Sequence, residues 1–132
     1  MVYLRNKNGF RPKRKMSLGG NVTVSVGEHF SMTFEVDVPL GTKVLDIIES
    51  SRLRLMEKMV NMKMTLTPND DNYSMTFSDD NDGHFDVTDL ELEGDPLVIT
   101  DSDEEKRRKV EALVTSAVAK AASTADYSIT TF

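Results

Sequence analysis

An α+β fold is what this sequence predicts: a two-layer antiparallel or mixed sheet of two hairpins and shorter strands, packed by a central helix and a C-terminal helix. Three observations predict it. Apolar residues alternate with polar ones over 22–38 and 62–77, the period of strands with one buried face. They recur at helical spacing over 43–60 and 103–121, and the change of period falls inside Val36–Ile48, where a strand hands over to a helix. The 132 residues include no cysteine, so one domain must be held by packing alone, without disulfide, thiolate metal site or cysteine nucleophile.

The first hairpin joins Val22–Val26 to Phe30–Val38. A two-residue loop at Gly27-Glu28 would put the apolar rows of the two strands on opposite faces. A three-residue loop, Gly27-Glu28-His29, pairs Val26 with Phe30, Val24 with Met32 and Val22 with Phe34, keeping every large residue on one face. This register asks His29 for a left-handed backbone. Pro39-Leu40-Gly41 then ends the strand. Thr42 is placed to cap a helix whose core face carries Val44, Ile48, Leu55 and Met59, flanked by Leu45, Met56 and Val60.

A second hairpin follows, with Met62, Met64 and Leu66 on one strand and Tyr73, Met75 and Phe77 on the other. A four-residue turn, Pro68–Asp71, pairs Leu66 with Tyr73, Met64 with Met75 and Met62 with Phe77. The five methionines between Met56 and Met75 suit irregular gaps in a core. The acid-rich stretch 79–95 suggests an irregular or edge strand through Phe85, Val87, Leu90 and Leu92, and Leu97–Ile99 a short further one.

Ser102-Asp-Glu-Glu105 matches a capping box, and Val110, Leu113, Val114, Ala117, Val118 and Ala121 form the stripe of the helix it opens. Glu104 with Arg108 and Glu105 with Lys109 stand four apart, a spacing that supports ion pairs along it. The β-prone end, Tyr127 to Phe132, either frays or adds as an edge strand to its own sheet or a neighbour's.

Charge divides the chain into a basic arm (1–20), an α+β domain (21–123) and a tail (124–132). Residues 1–15 hold six basic side chains and no acid, while residues 16–132 hold ten basic against 22 acidic. An acidic body repels nucleic acid, whereas Arg5, Lys7, Arg11, Lys13, Arg14 and Lys15 suit phosphate, a neighbouring subunit's acidic face, or solvent. If all six neutralised phosphates, affinity would fall with salt at a log–log slope of about −5, and Tyr3, Phe10 and Phe132 would be the residues to supply the stacking.

One segment has the pattern of an ion site. Aligned on Gly83, residues 78–89 resemble an EF-hand calcium loop, with Asp80, Asp82 and Asp86 at its third, fifth and ninth positions. Ser78 and Asp89 stand where that loop has Asp and Glu, so a solvated turn with Gly83 at positive φ is the other reading. Catalysis finds no such pattern. His29 and His84 are the two side chains that titrate near neutrality, and no glycine-bracketed serine, phosphate loop or dinucleotide fingerprint accompanies them.

The junction Val38-Pro-x-Gly-Thr-x-Val44 between strand and helix resembles that of β-grasp, ubiquitin-like domains, over about residues 22–77. The resemblance implies a binding scaffold, because the chain lacks the Gly-Gly end of ubiquitin-like modifiers and the cysteines of ferredoxins. The terminal Phe132 is similar to the end of single-strand-binding proteins, although Asp126 is the one acid among the last ten residues.

Together these observations predict a non-enzymatic structural or assembly protein without cofactor. It would act through subunit contacts, in a homo-oligomer or a larger assembly such as a phage particle, with Tyr127, Ile129 and Phe132 as tail contacts. The alternatives are a nucleic-acid-binding accessory protein using the arm and a calcium module at 78–89. With no apolar run long enough for a membrane span or a signal peptide, the expected location is the cytoplasm or a virion.

Overall fold

In the computed structural model, which describes residues 17–131, eight elements follow in order. They are β1 (Ser17–Val26), β2 (Phe30–Pro39), α1 (Val44–Met59), β3 (Lys63–Pro68), β4 (Tyr73–Ser78), β5 (His84–Leu90), α2 (Asp103–Thr124) and β6 (Asp126–Thr131). The fold is α+β, with its strands divided between two three-stranded antiparallel sheets ordered β2-β1-β6 and β3-β4-β5.

The first hairpin has the register that parity requires, with Val26 opposite Phe30, Val24 opposite Met32 and Val22 opposite Phe34. Its turn differs in one respect. The left-handed residue is Gly27, at φ 65°, and not His29, since glycine takes that conformation without a Cβ penalty. β1 also starts earlier than expected, so that Ser17–Gly20, assigned to the arm, pair with Pro39–Val36. The tail is an edge strand of its own sheet, setting Tyr127 opposite Val24 and Ile129 opposite Val22. A Cβ at Gly20 would collide with the Thr130 carbonyl, so β6 approaches β1 closely only because that residue is glycine.

α1 buries Leu55 and Met59 as expected, but the first half of its buried row differs from the expected one. Ile47, Ser51, Leu55 and Met59 are buried at four-residue spacing, while Val44, Leu45 and Val60 are exposed. Ser51 takes a core position because its hydroxyl donates to the Ile47 carbonyl at 2.7 Å, leaving no polar group unsatisfied. Thr42 is not the cap either: its hydroxyl donates to the Pro39 carbonyl at 2.6 Å, and the N-cap is Lys43, without a side-chain bond.

The second hairpin is shifted two residues from the expected pairing, with Leu66 opposite Met75 and Met64 opposite Phe77. A shift of two preserves the apolar face, so burial is unaffected. The turn is Asn69–Asn72, closed by Asn69 N donating to the Asn72 carbonyl at 2.8 Å, with the Asn69 side-chain amide reaching Ser74 Oγ at 2.9 Å. β5 pairs with β4 through a bulge, since Met75 faces Val87 but Tyr73 faces Leu90, and Asp89 within it has φ 58°. Leu97–Ile99 is not a strand; Leu97 N donates to the Tyr73 hydroxyl at 2.8 Å instead.

α2 opens as expected, with Ser102 Oγ accepting from Glu105 N at 3.2 Å, and buries Leu113, Ala117, Val118, Ala121 and Ala122. Its ion pairs are other than expected. Glu105 pairs with Arg108 at 2.9 Å, and Lys109 turns inward to Asp101 at 2.9 Å while donating to the Pro96 carbonyl at 3.0 Å. Lys109 lies one turn before Leu113 on the buried face, so its ammonium needs partners there. Of the five methionines, Met59, Met62 and Met75 are in the core, with Met56 and Met64 packed against it.

Candidate functional site

The acidic segment is organised as a turn. Asp79 accepts from Asn81 N and Gly83 N at 2.9 and 2.8 Å, which fixes the chain reversal before β5. The left-handed residue is Asp82, at φ 65°, and not Gly83. Asp86 accepts from Thr76 on β4 at 2.6 Å, and Asp89 from Asn72 at 3.3 Å, so both are engaged across the sheet. Asp80, Asp82, Asp86 and Asp89 are not gathered: among the described residues no three acids or histidines stand close enough to hold a metal ion.

His29 and His84 come together as a stacked pair, 4.8 Å between ring centres, with His84 N donating to the His29 carbonyl at 3.2 Å. Phe30 against Phe85 at 5.3 Å continues the contact, so these residues join the two sheets at one end. Tyr127 and Ile129 pack against the protein's own core; the Tyr127 hydroxyl donates to the Ala122 carbonyl at 2.8 Å, and burial pushes its phenol above the ordinary value. Phe132 and the arm residues Arg5, Lys7, Arg11, Lys13, Arg14 and Lys15 lie outside the described residues.

The surface made by β2 and α1 differs from the rest. Along β2 the inward residues after Phe30, namely Met32, Phe34, Val36 and Val38, are only half-buried. α1 covers part of this row, with the Arg54 guanidinium 4.5 Å from the centre of the Phe34 ring. Beyond it Leu40, Val44, Leu45 and Leu53 stand in solvent, Leu45 at 75% exposure. The outer edge of β2 is also open, because β2 terminates its sheet and among the described residues no strand pairs with that side.

Comparison with protein-family models, with curated proteins and with solved structures finds no match.

The chemistry available on this surface is therefore that of its residues: aliphatic side chains, an outer ladder of N–H and C=O groups to which no described strand pairs, and a solvent row of Ser31, Thr33, Glu35 and Asp37. Such a surface binds by apolar burial and strand addition. Periodicity placed Val44 on the core face with Leu45 beside it, and both are exposed. Val44 has the azimuth of the buried row but is the first residue of α1, before that row begins at Ile47, whereas Leu45 lies about 100° off it. Among the described residues no helix is long and apolar enough to cross a membrane.

Proposed function

We propose that this protein is a non-enzymatic structural or assembly component that works by contact with protein subunits, in a homo-oligomer or a larger particle such as a phage virion, in the cytoplasm or within that particle. The observation that carries the reading is the outer edge of β2, unpaired among the described strands and next to a half-buried apolar row, with exposed aliphatic residues Leu40, Val44, Leu45 and Leu53 in the turn and helix that follow it. Burying one leucine side chain is worth roughly 1.5–3 kcal/mol, so four such residues left in water favour association when a complementary surface is present. The opposite signs of arm and body support the same reading, because a basic arm has acidic surface to meet on a neighbouring copy.

Sedimentation velocity of the full chain across the micromolar range tests this. Association is expected, and Leu45→Asp should weaken it by tenfold or more while leaving the circular dichroism spectrum unchanged, since that side chain has little to lose within the monomer. A chain that stays monomeric throughout, and binds oligonucleotides with the steep salt slope that six phosphate contacts require, would replace subunit contact with nucleic-acid binding as the function.

A further inference from the structure

Among the described residues four strand edges bound the two sheets, and three of them are blunted. β3 carries Lys63 and ends in Pro68, which has no N–H to give. β5 is bent by its bulge and by the left-handed Asp89. β6 is six residues long against ten for β2. β2 is continuous, has no bulge or lysine, and holds its proline at the final position. An edge of this kind is a template for another strand.

We propose that β2 pairs with β2 of a second copy, antiparallel about a two-fold axis at Phe34, joining the two sheets into one of six strands ordered β6-β1-β2-β2-β1-β6. The inference rests on the reading of the protein as one that works through subunit contacts, and it names the copy and the edge. The register follows from charge and parity. Pairing odd with even residues would set the half-buried row against the solvent row, so the axis must pass through a residue and not between two.

An axis at Glu35 sets that carboxylate against itself, and an axis at Val36 sets Glu35 against Asp37 twice, both repulsive. An axis at Thr33 limits pairing to Ser31–Glu35, because beyond Ser31 the strand end is occupied: Phe30 packs on Phe85 and the His29 carbonyl accepts from His84 N. An axis at Phe34 extends pairing from Ser31 to Asp37. Phe34 then meets Phe34, Val36 meets Met32, Glu35 meets Thr33 and Asp37 meets Ser31, so every carboxylate faces a hydroxyl and the apolar row is continuous across the axis. Arg54 covers Phe34 from α1, so the two guanidinium groups approach each other near the axis, and added salt strengthens the pairing.

The test is sedimentation equilibrium on the full chain with charge changes at Thr33, an exposed residue whose hydroxyl lies 3.0 Å from the Thr23 hydroxyl. Thr33→Glu places a carboxylate opposite Glu35 at two symmetric positions and should weaken dimerisation by roughly tenfold. Thr33→Lys should tighten it by a similar factor, and adding Glu35→Lys to Thr33→Glu should restore it. Opposite effects of the two Thr33 variants together with the rescue establish the register. Variants at Thr33 that leave association unchanged, or a double variant no better than Thr33→Glu, overturn it. If Leu45→Asp abolishes association while Thr33 variants are silent, contact through the outcrop stands and strand pairing falls; if the wild-type chain is monomeric throughout, both fall.

Discussion

The two sheets have the same number of strands and the same antiparallel order, yet they differ at their edges, where β2 leaves four inward residues half-buried and the shorter β3 two. In β3-β4-β5 the inward residues Tyr73, Met75 and Phe77 of β4 and Phe85, Val87 and Leu90 of β5 are all buried, and α2 is anchored over them, with Lys120 Nζ bonded to the Thr88 carbonyl at 2.7 Å. In β2-β1-β6 the central strand is as deeply buried, with Val22 and Val24 at 0% exposure, but β2 beside it keeps most of its inward row half in water. Both carry enough apolar residues for a complete layer. The difference includes α1, which buries Ile47, Leu55 and Met59 but leaves Val44, Leu45 and Leu53 exposed.

Core truncation should separate the two sheets most strongly. Phe77→Ala removes a fully buried ring stacked on Phe85 at 5.1 Å and is expected to cost about 3–5 kcal/mol in denaturant unfolding. Phe34→Ala, half-buried beneath Arg54, should cost only about 1–2 kcal/mol in the monomer. Equal losses at the two positions would mean that β2 is as well covered as β4 and would remove the contrast.

A smaller effect is expected at the loop that leads into α2. Asp101 accepts from Val98 N at 3.0 Å and from Lys109 at 2.9 Å, and these bonds, the backbone one first, hold its carboxyl below the ordinary 3.8. A carboxylate depressed in the folded state contributes stability that is present above its unfolded value and is lost as pH falls through the folded one. Acid should therefore lower the melting temperature below about pH 4. In Lys109→Met the melting temperature should be lower at neutral pH and should depend less on pH in that acid range. The same acid dependence in both proteins would show that the buried ammonium does not hold Asp101.

The smallest change is expected at the bulge. Asp89 bears a left-handed backbone at φ 58° while accepting one bond, from Asn72 at 3.3 Å. Asp89→Gly should be neutral or stabilising by up to about 1 kcal/mol, read as a shift of the denaturation midpoint, because relief of the strain outweighs a weak exposed bond. A clear loss would assign the carboxylate a structural role at this sheet edge.

These elements also show what a sequence exposes and what it conceals. The first hairpin was legible because parity and loop length admit one register that puts Val22, Val24, Phe30 and Phe34 on one face. The second was displaced by two residues because parity is blind to an even shift, and the deciding bonds, Asn69 to Asn72 and to Ser74, are turn chemistry that apolar periodicity does not carry. α2 was legible from its cap and stripe, apart from Lys109, whose inward turn depends on Asp101 and Pro96 outside the helix. On α1 the buried row includes Ser51 and excludes Val44 and Leu45, the reverse of a count of apolar residues. The same misplacement hid the outcrop now offered as the contact surface.

Amide hydrogen exchange read strand by strand at increasing protein concentration tests contact through β2 most directly. Protection along Ser31–Asp37 should rise with concentration, with a smaller rise at the start of α1 and none in β3, β4 or β5. Exchange along β2 that is independent of concentration, or a rise confined to β6, would contradict it.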